Sequence, residues 1–160
     1  MVSDLLRTET AVEACRAHLT DAAAAGTPID AYLSRYLAVI LCAELEETIR
    51  ELVHTRVQQQ SSADVLALVL KVARNIVRSA DHQEVRDVIG YFGKPYGDRY
   101  VTEILATAQE SGVEALNNLV KARNDIAHRT PPNLTLSEIE TALVAGKHVL
   151  AAVRKALEVA

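Results

Sequence analysis

The stretch "TPIDAYLSRYLAVILCAELEETIRELVHTRV", residues 27–57, decides the fold class of this chain. Leucine, isoleucine and valine recur along it three and four residues apart, which places one apolar stripe along the side of an α-helix. Thr27 is a favourable N-cap, Pro28 suits the first helical position, and Asp30 lies in the first turn, near the positive end of the helix dipole. The stretch therefore predicts a long amphipathic helix that must bury one side against neighbouring elements.

Helix signals of the same kind divide the rest of the chain. Ser, Thr and Asp open segments with helical apolar spacing, and Gly26 is suited to a left-handed C-terminal cap. Two segments begin with a capping-box pattern, in which Glu114 and Glu138 follow three residues after the cap. The further helices that we predict run from Ser3 or Asp4 to Gly26, from Ser61 or Ser62 to Ala80, from Ser111 to His128, and from Thr135 to the end of the chain.

Residues 81–109 are the exception, because Gly93, Pro95 and Gly97 interrupt the middle of this region. Glycine and proline so close together end a helix, so we predict two short helices with a turn between them. Short connections favour antiparallel neighbours. The fold predicted for residues 1–160 is therefore a single all-α domain, a helical bundle of four main helices plus short helices.

The composition supports one folded domain and limits its partners. Of the 160 residues, 49% are hydrophobic, and only 6 are glycine and 4 proline, so few are left for loops.

The formal net charge of −4 argues against a generally basic surface, so any contact with RNA must be local. No apolar run approaches the roughly 18 residues that would span a bilayer, and the polar N-terminus is unlike a signal peptide. Cys15 and Cys42 lack the spacing of a metal site. We therefore expect a cytoplasmic protein with reduced cysteines and no membrane partner.

The segment "RNDIAH", residues 123–128, ends an amphipathic helix just before the chain breaks at "TPPN". Chance readily supplies an arginine and a histidine five residues apart, but seldom with asparagine directly after the arginine. The three side chains suit cleavage of an RNA backbone. His128 can exchange protons with a ribose 2′-OH and the leaving 5′-oxygen, Arg123 can bind the phosphate and stabilise its developing charge, and Asn124 can hold either group in place. This chemistry calls for no metal ion and no cofactor.

The spacing within this segment predicts that one copy of the chain is not enough. Arg123 and His128 lie roughly 140° apart around an ideal helix and about 7.5 Å apart along it. A single helix therefore presents them poorly to one phosphate. Across a two-fold axis the same patch meets itself, so two arginines and two histidines could line one cleft. We expect a homodimer.

These features resemble the HEPN superfamily, and most closely its RiboL-PSP-HEPN group, whose signature is Arg, a polar residue that is often Asn, three further positions, then His. The resemblance covers most of residues 30–155. It rests on "LVKARNDIAHR" (119–129), on the glycine-broken aromatic stretch "GYFGKPYGDRY" (90–100), on the proline turn and last helix, and on acidic residues inside the apolar stripe of the long helix.

The resemblance implies a dimeric helical bundle with a metal-independent endoribonuclease site built from the Arg and His of both copies. Many members act in toxin–antitoxin, phage-defence or stress systems. The partners implied are an RNA substrate, a second copy, and an antitoxin or fused regulatory partner. Arg129 stands where many members have glycine, and we predict a phosphate contact for it. The site residues assigned on this basis are Arg123, Asn124 and His128 as catalytic, Glu47 and Asp125 as supporting, and Lys121 and Arg129 as RNA-binding, with no metal ligand.

Other interpretations of the charged residues stay open. "RNDIAH" could be an ordinary helix C-terminus whose basic residues complement the negative end of the dipole. The domain would then be a catalytically inactive HEPN-like module that binds a partner protein or nucleotide. A metal site is also conceivable on the long helix, although charges at such spacing usually form a solvated face. The residues that would make it are Glu44, Glu47, Glu51 and His54.

The aromatic residues and the remaining histidines also have two interpretations. Aromatic side chains near Gly93 could stack on bases, but a loop packed by its own aromatics is favoured. These are Tyr91, Phe92, Tyr96 and Tyr100. The histidines outside the hexamer have no convincing partners in the sequence, and we predict surface or boundary positions for them. They are His18, His54, His82 and His148.

Overall fold

The computed structural model of the protein describes residues 4–60, 76–107, 110–127 and 134–158. All regular secondary structure in these ranges is α-helical, which confirms the all-α bundle of four main helices with shorter ones. The six helices of the described part are α1 (Leu6–Asp21), α2 (Pro28–Gln60), α3 (His82–Gly90), α4 (Lys94–Thr107), α5 (Glu110–Ala127) and α6 (Leu136–Leu157).

The helix α2 begins where the sequence predicts. Pro28 is its first residue, and the N–H of Ile29 donates a hydrogen bond to the Thr27 hydroxyl at 3.3 Å. The Asp30 carboxylate accepts a hydrogen bond from the N–H of Gly26 at 2.9 Å, which fixes the turn before the helix. Local cap chemistry therefore decides this boundary.

The end of α1 is earlier than predicted. The helix stops at Asp21 rather than at Gly26, and Ala23 adopts a left-handed conformation with φ +48°. The N–H of Ala24 donates to the Leu19 carbonyl at 2.9 Å, and the Ala24 side chain is buried. Burial of this alanine overrides the helical preference of the run of alanines.

The start of α1 is capped by another helix instead of by Asp4 or Ser3. Ser3 lies outside the described residues, and the Asp4 carboxylate accepts a hydrogen bond from Arg154 of α6 at 2.5 Å. The carboxylate of Glu44, on α2, accepts hydrogen bonds from the first-turn N–H groups of Arg7 at 3.0 Å and Thr8 at 2.8 Å. A buried side chain distant in sequence thus satisfies donors that no local residue caps.

The third predicted helix lies largely outside the described residues, and its last five residues, 76–80, are not helical. The next region forms two helices, α3 and α4, as predicted, and Gly93 lies in the turn between them with φ +123°. Pro95 is the second residue of α4, not part of the turn, since a helix needs no N–H donor in its first turn. Gly97 is also helical and is buried against Gly90 of α3.

Of the two predicted capping boxes, the structure shows the one at the start of α6. Thr135 and Glu138 form the predicted one, with the Glu138 N–H bound to the Thr135 hydroxyl and the Thr135 N–H bound to the Glu138 carboxylate. By contrast, α5 begins at Glu110, one residue before the predicted cap at Ser111. Helix starts vary by a residue or two unless a cap bond fixes them.

The core of the bundle surrounds α6, which packs against α2, α4 and α5, while α1 packs against α2 and α6. None of the helices in the described ranges is both long and apolar enough to cross a membrane. The largest fully buried side chains are Leu5, Leu37, Leu41, Leu45, Ile49, Ile89, Tyr100, Ile104, Leu116, Leu119, Ile139 and Leu150.

Candidate functional site

The helix α5 carries the first part of the hexamer. Arg123, Asn124 and Asp125 lie in its last turns, and the helix runs to Ala127. Asn124 and Asp125 are exposed to solvent, as is Lys121 one turn earlier, whereas Arg123 is partly buried. His128 and Arg129, also assigned to the site, lie outside the described residues. The exposed side chains are therefore available to a ligand, and Arg123 is turned towards the bundle.

Arg123 forms an ion pair with Glu46 of α2. Its Nη2 donates a hydrogen bond to Glu46 Oε1, and the two side chains are 27% and 12% exposed. The Nε of Arg123 is buried and meets no hydrogen-bond acceptor among the described residues. The pair connects the helix of the hexamer to the longest helix, and it leaves part of the guanidinium open to solvent.

Glu46 is shared between two arginines. Its second oxygen, Oε2, accepts a hydrogen bond from Arg50 Nη2 at 3.4 Å, one helical turn further along α2. Burial raises the pKa of the Glu46 carboxyl, although Arg123 and Arg50 act in the opposite direction, and Glu84 adds a smaller upward effect. The two guanidinium groups thus stabilise the charged form of the carboxylate against the effect of its burial.

Cys42 lies beside the same arginine, one turn before Glu46. The side chain is buried, and burial raises the pKa of its thiol to about 11, while the nearby Arg123 lowers it. The thiol is therefore protonated at neutral pH and acts as a small apolar side chain. It packs against the arginine and supplies no nucleophile.

The structure brings Glu46, not Glu47, to Arg123. Glu47 is half-exposed and forms an ion pair with Arg7 of α1. Glu46 falls four residues after Cys42 and three before Ile49, within the buried stripe of α2, while the next residue points about 100° away. The interruption of the apolar stripe by an acid at position 46 was the signal that could have selected this residue.

The alternative metal site on α2 does not assemble in the described part of the chain. The buried carboxylate of Glu44 binds the first turn of α1, and the Glu47 carboxylate binds Arg7. No group of three His, Cys, Asp or Glu side chains within the described ranges is arranged to hold a metal ion.

The aromatic residues near Gly93 mostly pack on the protein. Phe92 and Tyr96 lie with ring centroids 6.1 Å apart, and the Tyr96 hydroxyl accepts a hydrogen bond from Arg56 at 2.8 Å. Tyr100 is fully buried. Only Tyr91 of the four is largely exposed, at 74%. The packing interpretation is confirmed for the other three.

His82 corrects the prediction that the remaining histidines have no partners. Its Nδ1 lies 3.1 Å from the hydroxyl of the buried Tyr100, and its backbone N–H donates to the Asn117 side chain of α5 at 3.0 Å. Burial lowers the pKa of His82, with a further contribution from Arg86. The partner is 18 residues away in sequence, so the packing of α3 on α4 creates the contact.

A family model for RiboL-PSP-HEPN matches residues 3–159, almost the whole chain. The chain belongs to the RiboL-PSP-HEPN family. No curated protein and no solved structure matches it. The resemblance seen in the hexamer is therefore confirmed at the level of the family, and the six helices are those of a HEPN-type domain.

In this HEPN-type domain, the Arg123–Glu46 pair links two helices of the bundle. The pair joins Arg123 on α5 to Glu46 on α2, whose acidic residues interrupt an apolar stripe. A shared carboxylate restricts the rotamers of the arginine, since an unpaired guanidinium would be free to move among several. The position of Arg123 in this RiboL-PSP-HEPN domain is therefore partly fixed by a contact that lies outside the hexamer.

Proposed function

We propose that this RiboL-PSP-HEPN domain is a metal-independent endoribonuclease of the HEPN type, acting through a composite site of two copies. The observation that carries the proposal is the Arg123–Glu46 pair, which fixes the signature arginine near the end of α5, five residues before His128. Exposed Asn124 and Lys121 on the same turns provide polar and basic groups for a bound strand.

In the proposed reaction, His128 accepts the proton of a ribose 2′-OH, and that oxygen attacks the adjacent phosphorus. The bond from phosphorus to the 5′-oxygen breaks, and this oxygen receives a proton from a histidine, which is the second copy's if the two sites share one cleft. Arg123 stabilises the negative charge that grows on the phosphate oxygens. The products are a 2′,3′-cyclic phosphate and a free 5′-OH.

Each remaining residue has a role in this proposal. Asn124 orients the phosphate or the imidazole by hydrogen bonding, Lys121 and Arg129 bind neighbouring phosphates, and Asp125 supports the turn. Glu46 takes the supporting position first assigned to Glu47, because it is the acid that contacts Arg123. A role in a toxin–antitoxin, phage-defence or stress system, with an antitoxin or fused regulator as partner, belongs to the same proposal.

The test is cleavage of single-stranded RNA by the purified chain with EDTA present. We expect cleavage that yields 2′,3′-cyclic phosphate ends, and we expect His128→Ala to lower the rate by about 10²- to 10⁴-fold. Circular dichroism of both proteins checks that the variant is folded. Cleavage by the folded variant at the native rate, or a native chain without activity at any concentration tested, would reject the proposal.

A second candidate is a non-catalytic module that binds a partner protein or nucleotide. One observation favours it, since Arg123 is nearly three-quarters buried and could serve only to join α5 to α2. This candidate predicts that Arg123→Ala lowers the melting temperature by several degrees and that the native chain leaves RNA intact. An unchanged melting temperature would count against it.

A further inference from the structure

Arg50 is a second basic residue at the candidate site that neither the hexamer nor the family signature includes. Its Nη2 donates to Glu46 Oε2, the carboxylate oxygen opposite the one that Arg123 contacts. Its Nε donates to the carbonyl of Val77. The Arg50 side chain is 39% exposed, compared with 27% for Arg123. It is therefore the more accessible of two guanidinium groups held by one carboxylate.

The protein contacts of Arg50 leave much of its binding capacity unused. Both hydrogen bonds are 3.4 Å long, at the weak end of the range for N–H donors. A guanidinium has five N–H donors in a planar fork, a shape that suits phosphate oxygens. The ion pair with Glu46, one helical turn earlier, is partly buried, and it helps to offset the cost of burying that carboxylate. Stabilising Glu46 and contacting Val77 therefore use only two of the five donors of this guanidinium.

Few acidic groups lie close enough to Arg123 and Arg50 to compete with an anionic ligand. Glu46 is the single carboxylate that contacts Arg123 and Arg50 in the described part of the chain. Glu84, the other acid whose charge reaches Glu46, accepts a hydrogen bond from the N–H of Arg78 at 2.8 Å and so is directed to the segment before α3. The two guanidinium groups are bridged by the Glu46 carboxylate through one hydrogen bond on each side. The distance between them is therefore on the order of 7 Å. Groups this close can bind one phosphate or two adjacent ones.

We propose that Arg50 is a phosphate-binding residue of this site, and that Arg50 and Arg123, joined by Glu46, bind the backbone of a single-stranded RNA. The inference rests on the proposed function in taking RNA as the ligand, but not in requiring cleavage. Arg50 is then a binding residue, and Arg123 remains the one that acts on the reacting phosphate.

The test measures the salt dependence of RNA binding. The probe is a fluorescein-labelled single-stranded RNA whose 2′-oxygens are all methylated, so that it lacks the nucleophile for cleavage. Its Kd for the native chain, Arg50→Gln and Arg50→Lys is measured by fluorescence anisotropy at several salt concentrations. The matched control is Arg35→Gln, on the same helix about 22 Å away, where the guanidinium lies over the Tyr32 ring.

We expect Arg50→Gln to raise Kd about three- to tenfold at 0.1 M salt and to reduce the slope of log K against log salt by about 0.7, the value for one phosphate contact of a single strand. Arg50→Lys should restore the slope, and Arg35→Gln should match the native chain. A purely structural arginine would not change the slope. A native slope in Arg50→Gln, or no measurable binding of the probe to the native chain, would overturn the inference.

The outcome is separable from that of the cleavage assay. If Arg50→Gln has the native slope while unmethylated RNA is cleaved in a His128-dependent way, the inference is wrong and the nuclease proposal stands. If the probe binds through Arg50 but unmethylated RNA is not cleaved, the nuclease proposal is wrong and the inference stands.

Discussion

The carboxylate of Glu46 crosses from α2 to the guanidinium of Arg123 on α5, and it does so from within the buried stripe of its own helix. A buried carboxylate is costly unless it is paired and hydrogen-bonded. Glu46 meets this condition through Arg123 and Arg50. Its position therefore depends on Arg123, and the position of Arg123 depends on Glu46.

With the proposed endoribonuclease activity, Glu46→Ala should lower the rate of RNA cleavage more than it lowers RNA affinity. Without the carboxylate, Arg123 is free to adopt other rotamers, and a misplacement of about 1 Å can cost on the order of 10²-fold in rate. We expect kcat to fall by about 10- to 100-fold with KM changed less than threefold. Single-turnover and steady-state cleavage assays of the folded variant measure both quantities.

The control for this prediction is the neighbouring acid. Glu47→Ala removes a carboxylate that is bound to Arg7 on the exposed side of α2, so it should keep the native kcat. Equal losses in Glu46→Ala and Glu47→Ala would show that the choice of Glu46 is wrong. A rise in KM without a change in kcat would show that Glu46 acts in RNA binding instead of in positioning Arg123.

The difference between these two acids shows how far the sequence could predict the site. The apolar period located α2, and the hexamer located the arginine, because both are local patterns. The choice between positions 46 and 47 required knowing which face of α2 meets α5, a fact of tertiary packing. The same limit explains the misplaced end of α1, where the burial of Ala24 decided the boundary, and the missed contact of His82 with Tyr100.

Glu44 should be important for stability, although it takes no part in the site. Its carboxylate accepts hydrogen bonds from the backbone N–H groups of Arg7 and Thr8 and from the Thr8 hydroxyl at 2.6 Å. Glu44→Ala leaves these first-turn donors without an acceptor, which should reduce the free energy of unfolding by about 2–3 kcal/mol. Urea unfolding followed by circular dichroism measures the change. Glu51→Ala, at an exposed position of the same helix, should stay within about 0.5 kcal/mol of the native value.

Two helical glycines should respond in opposite directions to alanine. A Cβ at Gly146 of α6 would lie 3.1 Å and 3.2 Å from the two methyl carbons of Leu45, which is fully buried and has little room to move. A Cβ at Gly112 of α5 would meet Ala145 at an ordinary 3.6 Å. Gly146→Ala should therefore destabilise the protein by about 1–2 kcal/mol, and Gly112→Ala should stabilise it by about 0.5–1 kcal/mol. Melting temperatures that rise in both variants would show that α6 and α2 are less tightly packed than described.

The burial of His82 should make the protein sensitive to acid. Burial and Arg86 lower the pKa of His82, while the adjacent Asp81 opposes them, so the folded state binds a proton less readily than the unfolded state does. Stability from this residue is fully present above its ordinary pKa, near 6.5, and is lost as the pH falls through that value towards the lowered one. The expected free energy of unfolding of the native chain is therefore lower at pH 5.5 than at pH 7.5.

The variant that isolates this effect is His82→Gln, whose amide can still hydrogen-bond the Tyr100 hydroxyl but does not titrate. We expect the stability of the native chain relative to His82→Gln to decrease from pH 7.5 to pH 5.5, as measured by urea unfolding at both pH values and at pH 6.5. Other groups titrate in the same range, but they are common to both proteins and cancel in the difference. His18→Gln, at an exposed position of α1, leaves the His82 contact intact and should retain the acid-induced loss that His82 causes. If native and His82→Gln proteins lose the same free energy between pH 7.5 and pH 5.5, burial of this imidazole has no effect on the pH dependence of stability.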